Sequence, residues 1–116
     1  MKKLTIALAG ASLSLLSLTA TAGGNAANGE ALTKKYNCAA CHGADFNSPI
    51  DPSYPKLAGQ HKDYLEHALI AYKRGDGPNG RANAIMGGQV KPLSDQDVKD
   101  IAAYLHSLKG SLVLKR

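Results

Sequence analysis

Two irregular stretches, residues 43–59 and 75–93, are dense in glycine, proline, asparagine and serine. Together they fill more than a third of the chain beyond residue 22. Loops longer than about 12–15 residues are uncommon in a compact domain unless they have something to do. Such loops need a surface to lie on, and the chain offers little. It has no tryptophan, one phenylalanine and five tyrosines in 116 residues, at a size where an ordinary core is marginal. No internal repeat or low-complexity tract suggests another solution. The shortfall implies a large apolar group standing in for the missing core.

The first 22 residues do not read as part of that domain. Lys2 and Lys3 precede an apolar run from Leu4 to Leu18, and Ala20-Thr21-Ala22 supplies small residues at the spacing of a cleavage site. About 15 apolar residues fall short of the roughly 20 that span a bilayer, and no later segment is apolar enough, so stable membrane insertion is not expected. We therefore expect a signal peptide over 1–22, cut after Ala22, and a mature domain over 23–116. Gly23 follows the cut, and a lipid anchor would need cysteine there. Removal takes two lysines and no acidic residue from the full chain's +5, leaving +3. An exported chain reaches an oxidising compartment, where two nearby cysteines would ordinarily form a disulfide.

Three segments carry helical periodicity. The first, about 28–36, opens with Asn28 as a candidate cap and Glu30 in the first turn. In the second, about 60–74, Tyr64, Leu65, Ala68, Leu69 and Tyr72 form one stripe, and Gly75 stops it. The third starts at Ser94, has Asp97 in a capping-box position, and repeats Val98, Ile101, Ala102, Leu105 and Leu108 until Gly110. No run alternates strictly enough to argue for a strand. The expected class is all-α.

Both cysteines fall in Cys38-Ala39-Ala40-Cys41-His42. A CxxC pair serves as a redox dithiol, as half of a metal site, or, when histidine follows, as the attachment signature of c-type haem. A dithiol of the thioredoxin kind belongs in a βαβ setting, and no strand is expected here. A structural zinc site needs two more closely spaced ligands, while His61 and His67 stand six apart on an expected helix. Haem attachment accounts for all three residues: Cys38 and Cys41 add to the two vinyl groups of one porphyrin, and His42 binds the iron. A sixth iron position then needs a ligand. Met86 is the sole methionine left after the leader, and it lies in the loop Ala-Asn-Ala-Ile-Met. Methionine more often fills a core, but this context favours Met86 as the second axial ligand, which raises the reduction potential relative to two histidines. His61 and His67, on the polar part of the second helix, and His106, near the end of the third, read as exposed; His61 or His67 is the fallback ligand.

The motifs CAACHG, YPKLAGQ, ANAIM and LSDQDVKDIAAYLHSL, in that order, resemble those of the small bacterial class I cytochromes c. The similarity is greatest to one half of the tandem dihaem cytochromes, and it covers nearly all of residues 26–109. The resemblance implies crossed first and last helices, with the loops wrapped around one haem c. It implies that the Pro55 carbonyl accepts a hydrogen bond from the His42 imidazole, and it puts Arg81, Asn83 and Gln60 near the haem edge or the methionine. For the crossing, the expected contact is Gly29 and Leu32 facing Tyr104. One attachment motif implies a single haem, with a homodimer as a way of mimicking the tandem pair.

The function implied is a periplasmic electron carrier that performs no bond chemistry. It would dock transiently on a redox donor and acceptor, with Lys34, Lys35, Lys56, Lys73, Arg74, Arg81 and Lys91 as candidates for a basic docking face. A haem enzyme or gas or peroxide sensor is the alternative. It requires an open sixth position and a distal acid–base residue, whereas residues 82–87 offer no His, Asp or Glu. Dispersed basic residues interleaved with acidic ones argue against nucleic acid as a partner.

Overall fold

A computed structural model describes residues 2–3, 5–12 and 23–111. Most of the expected leader, with its cleavage point after Ala22, lies outside the described residues. Among the described residues five helices follow in order: α1 (Ala26–Lys35), α2 (Ala39–His42), α3 (Lys62–Arg74), α4 (Ala84–Val90) and α5 (Asp95–Ser107). No strand occurs among the described residues, and the class is all-α.

The helix α5 forms where its pattern predicts. Ser94 Oγ accepts the Asp97 N–H and Asp97 Oδ2 accepts the Ser94 N–H, each at 3.0 Å, closing the capping box. Val98, Ile101, Ala102 and Leu105 are buried, and burial of such side chains contributes about 1.5–3 kcal/mol each for the larger ones. The helix ends at Ser107, short of Gly110. Leu108 is extended (φ −75°, ψ 149°), and the Leu105 carbonyl accepts the Gly59 N–H at 2.9 Å. The first loop is thus sewn to the end of α5.

In α1 the cap differs from the expectation. Asn25, and not Asn28, is the N-cap, its side chain accepting the Asn28 N–H at 3.0 Å. Glu30 therefore lies beyond the first turn and pairs with Lys34 at 2.9 Å. Asn28 turns outward from the helix to α5, donating its side-chain amide to Asp100 Oδ2 at 2.6 Å.

Asp100 is the polar centre of the α1–α5 crossing. It is 3% exposed, and Oδ1 accepts the Asn25 N–H at 2.7 Å and the Gln96 amide at 2.8 Å. Beside it the backbones meet so closely that a Cβ on Gly29 would lie 2.0 Å from the Asp100 carbonyl oxygen and 2.9 Å from Tyr104 Cβ. Gly29 and Tyr104 thus meet as expected, and Asp100 is the added element.

Against this crossing the loops supply Phe46, Ala58 and Leu93, α3 supplies Leu65 and α4 supplies Val90 to the same core. Phe46 has a left-handed backbone (φ 55°), which costs roughly 1–2 kcal/mol in a non-glycine residue. Its ring is buried edge-on to Tyr104 at 6.1 Å, and its carbonyl accepts the N–H groups of Leu57 and Ala58 at 2.8 and 2.9 Å. The stretch 75–93, expected to be irregular, contains α4. Two glycines and a short length hide its periodicity.

Burial alone would push the Asp100 carboxyl up, but the donors on Asn25, Asn28 and Gln96 outweigh it and hold it below its ordinary value. The ionised clamp then stabilises fully above the unfolded value of about 3.9, and that contribution is lost as pH falls through the depressed folded value. Asp100→Ala is expected to cost about 2–4 kcal/mol at pH 7, measured by denaturant unfolding of the mature protein. The gap between parent and variant should narrow as the pH falls below the unfolded value of about 3.9.

Candidate functional site

The site grows from the end of α1. Asn37, with φ 54°, turns the chain, and the Cys38 N–H returns to the Thr33 carbonyl at 3.0 Å. One turn of helix, α2, then carries Cys41 and His42. Gly43 (φ 91°) ends it where a Cβ would lie 2.3 Å from the Ser48 carbonyl oxygen. Cys38 and Cys41 are half-buried and not joined to each other. Burial pushes the Cys38 thiol up, and the neighbouring Cys41 adds to the rise against an opposing backbone hydrogen bond. Reactive dithiols depend on a lowered value, so the environment of Cys38 is not that of an activated redox pair.

His42 is buried, and its Nδ1 lies 2.9 Å from the Pro55 carbonyl oxygen. A carbonyl can only accept, so Nδ1 carries a proton, and in the neutral imidazole Nε2 is the nitrogen with the lone pair. That is the tautomer a metal requires, with the orientation set by the partner on the other nitrogen. The Tyr54 ring stands 6.3 Å from the imidazole.

Two adjoining clefts meet at this ring. Cys41, His42, Leu57, Leu69, Ile85, Met86 and Leu105 line both, and Cys38 lines the second. Besides His42 the charged or chargeable side chains on the walls are Lys56 and Arg81, with four tyrosines and two thiols, and no carboxylate lines either cleft. Met86 is held by Asn83, whose Oδ1 accepts the Met86 N–H at 2.9 Å and caps α4. Arg81 also lies on the wall, its guanidinium 5.6 Å from the Tyr64 ring and 5.5 Å from the Tyr72 ring. Gln60 lines the larger cleft, and its carbonyl accepts the His106 Nδ1–H at 2.8 Å.

The structure thus brings Cys38, Cys41, His42, Pro55 and Met86 to one place. His61, His67 and His106 are exposed and line neither cleft. Among the described residues no group of three or more His, Cys, Asp and Glu side chains could hold a metal ion, which leaves zinc without a ligand set. Sequence reasoning passed over Tyr54, Leu57 and Ile85. Ile85 is 56% exposed at the cleft lip, an apolar surface that awaits a cover, and its place beside Met86 was the available signal.

The donor set fits a porphyrin iron: two thiols three residues apart, an imidazole in the metal-ready tautomer, a thioether on the same cleft, and apolar walls. Residues 26–109 match the family model for cytochrome c. The chain belongs to the cytochrome c family. Its cofactor is covalently bound haem c, and its architecture is the class I fold.

This cytochrome is 46% identical over 114 residues to cytochrome c4 of Pseudomonas aeruginosa, covering 97% of this chain and 51% of that one. It is 45% identical over 84 residues to cytochrome c-554(548) of Halomonas halodenitrificans, covering 72% of this chain and 96% of the relative. The crystal structure of reduced recombinant cytochrome c4 from Pseudomonas stutzeri superimposes with a TM-score of 0.65 at 46% identity, covering 77% of this chain and 48% of that one. This cytochrome spans about half the length of the cytochromes c4 it matches.

Intact-mass measurement of the matured cytochrome should show the polypeptide plus one haem, surviving acid and organic extraction. In a Cys38→Ala, Cys41→Ala double variant the haem should extract completely.

Proposed function

We propose that this cytochrome is an exported, periplasmic one-electron carrier in which Cys38 and Cys41 tether the haem while His42 and Met86 hold its iron. The observation that carries this reading is the bond from His42 to the Pro55 carbonyl, which occupies Nδ1 and leaves Nε2 as the ring nitrogen for a metal, on a cleft that Met86 also lines. When bound, the haem supplies a centre that gains and loses a single electron.

The chain's own residues suit that exchange. The apolar side chains of Leu57, Leu65, Leu69 and Leu105 exclude water from the cleft, so little solvent has to reorganise when the charge changes. A buried imidazole pinned by a backbone acceptor keeps its direction in both redox states. The soft thioether of Met86 favours the reduced state and raises the potential. Walls without a carboxylate offer no acid–base partner of the kind a peroxide-handling site uses, which supports a carrier over an enzyme or sensor.

Partners are read from charge and from relatives. Lys35, Lys56, Arg74, Arg81 and Lys91 are exposed, whereas Lys34 is paired with Glu30 and Lys73 donates to the Leu93 carbonyl. The exposed cations favour an acidic docking face on a redox protein. A thiosulfate dehydrogenase electron acceptor of Thiomonas intermedia is 40% identical over 75 residues, covering 65% of this chain and 33% of its own length, which supports an oxidoreductase as donor. No helix among the described residues is long and apolar enough to cross a membrane.

Met86→Ala should abolish the weak near-red band of the ferric protein and lower the reduction potential by on the order of 100 mV or more, given how strongly axial ligation sets haem potentials; an unchanged potential would remove Met86 from the ligand set. Electron transfer to an acidic partner should slow several-fold between low and physiological ionic strength. A rate indifferent to salt would remove the steering role of the basic residues.

A further inference from the structure

The short helix that presents Met86 is held unevenly. At its C-terminal end Val90 is buried, the Lys91 N–H bonds to the Gly87 carbonyl, and the Leu93 N–H bonds to that of Val90. At its N-terminal end Ala84 and Ile85 are exposed and Met86 is half-buried. Between the two ends stand Gly87 and Gly88. Neither has a positive φ. A Cβ on Gly87 would meet nothing nearer than the Tyr72 carbonyl oxygen at 3.8 Å, and one on Gly88 would meet nothing within 4 Å. Neither glycine lines the two clefts beside His42. Alanine would fit at both positions, so packing within this chain does not demand glycine, while each glycine weakens a helix interior.

What opposes that weakness is concentrated just upstream. Asn83 Oδ1 takes the Met86 N–H at 2.9 Å, and the Asn83 carbonyl takes the Gly87 N–H at 2.8 Å. Two residues earlier the Arg81 N–H bonds to the Ala71 carbonyl at 2.9 Å, and its guanidinium stacks over Tyr64 and Tyr72. The segment entering α4 is therefore fixed on α3 as far as Arg81, and the Asn83 cap is the side-chain bond that carries order onward into the turn of Met86.

We propose that Asn83 is the positioning residue for Met86, and that Gly87 and Gly88, set against its cap, leave the Met86 turn able to open by itself while α1, α3 and α5 stay folded. This rests on the reading of Met86 as an iron ligand. The firmness of the methionine bond is then set by a local helix equilibrium as well as by the affinity of sulfur for iron. A small neutral ligand reaches the iron through that opening, with a gain in apparent affinity equal to the gain in the open population.

Imidazole titration of the ferric, haem-loaded cytochrome reads that population. Asn83→Ala should tighten apparent imidazole binding roughly five-fold, the effect of one lost cap. Asn83→Ser, which can cap, should return it to within about two-fold of the parent. Gly88→Ala should weaken imidazole binding by a similar five-fold factor through a firmer helix. If Asn83→Ala and Gly88→Ala both leave imidazole affinity within two-fold, or move it in the same direction, the proposal fails. Asp100→Ala, which weakens the α1–α5 crossing and leaves the turn of Met86 untouched, should keep imidazole affinity within two-fold of the parent; a tightening that tracks its loss of global stability would mean whole-domain opening and would also overturn the proposal. The ferric near-red band of the parent separates the two readings, because its absence rejects Met86 as ligand, whereas its presence with unresponsive variants rejects the role of Asn83 alone.

Discussion

Where α1 crosses α5 there is no room for a side chain, and this close approach governs the rest. Gly29 lets the two backbones meet at Asp100, and the buried carboxylate of Asp100 gathers N–H groups from Asn25, Asn28 and Gln96. A buried charge is costly unless its acceptors are filled, so Asp100 tolerates one arrangement of the start of α1 and no other. The turn of α2 leaves the far end of α1, and its sixth residue from Tyr36 is His42. The crossing thereby fixes where the imidazole stands. The loop sewn to Leu105 and Phe46 then brings Pro55 to meet it.

Charge is divided in a way that composition does not reveal. Many of the acidic side chains are occupied within the fold: Asp45 and Asp51 close turns on Asn47, Ser48 and Ser53, Asp97 completes a cap, Asp100 clamps the crossing, and Glu30 and Glu66 hold lysines. The hydrogen bonds hold the carboxyls of Asp45 and Asp51 below their ordinary values. Cations are left facing outward. These bonds leave the net charge unchanged, but they leave the outward cations as the groups able to meet an acidic partner at close range.

Much of this was legible in the chain. The helix α5 announced itself because its cap, its period and its stop signals agree. Cys38, Cys41 and His42 are adjacent in sequence, so the turn that gathers them is local. Met86 stood out through scarcity. The misses share a cause: they depend on contacts between distant segments. Asn25 and Asn28 are equally good caps locally, and only Asp100, some 70 residues on, decides between them. The helix α4 is disguised by Gly87 and Gly88, and Val90 and Leu93 hold its end through burial that no local pattern encodes. Phe46 adopts a backbone that its residue type disfavours because packing and two donors to its carbonyl outweigh the cost.

The partner of His42 is a main-chain oxygen. Side-chain acceptors that orient a metal-binding imidazole can be erased by one codon change; a peptide carbonyl is present whichever amino acid occupies the position. Evolutionary drift at residue 55 therefore threatens the imidazole only through the course of the loop, which proline helps to keep by fixing its own φ. Information that elsewhere sits in one conserved functional group is here spread over the whole path from Gly43 to Gly59, and insertions or deletions in that path are the genetic lesions to which the centre is most vulnerable.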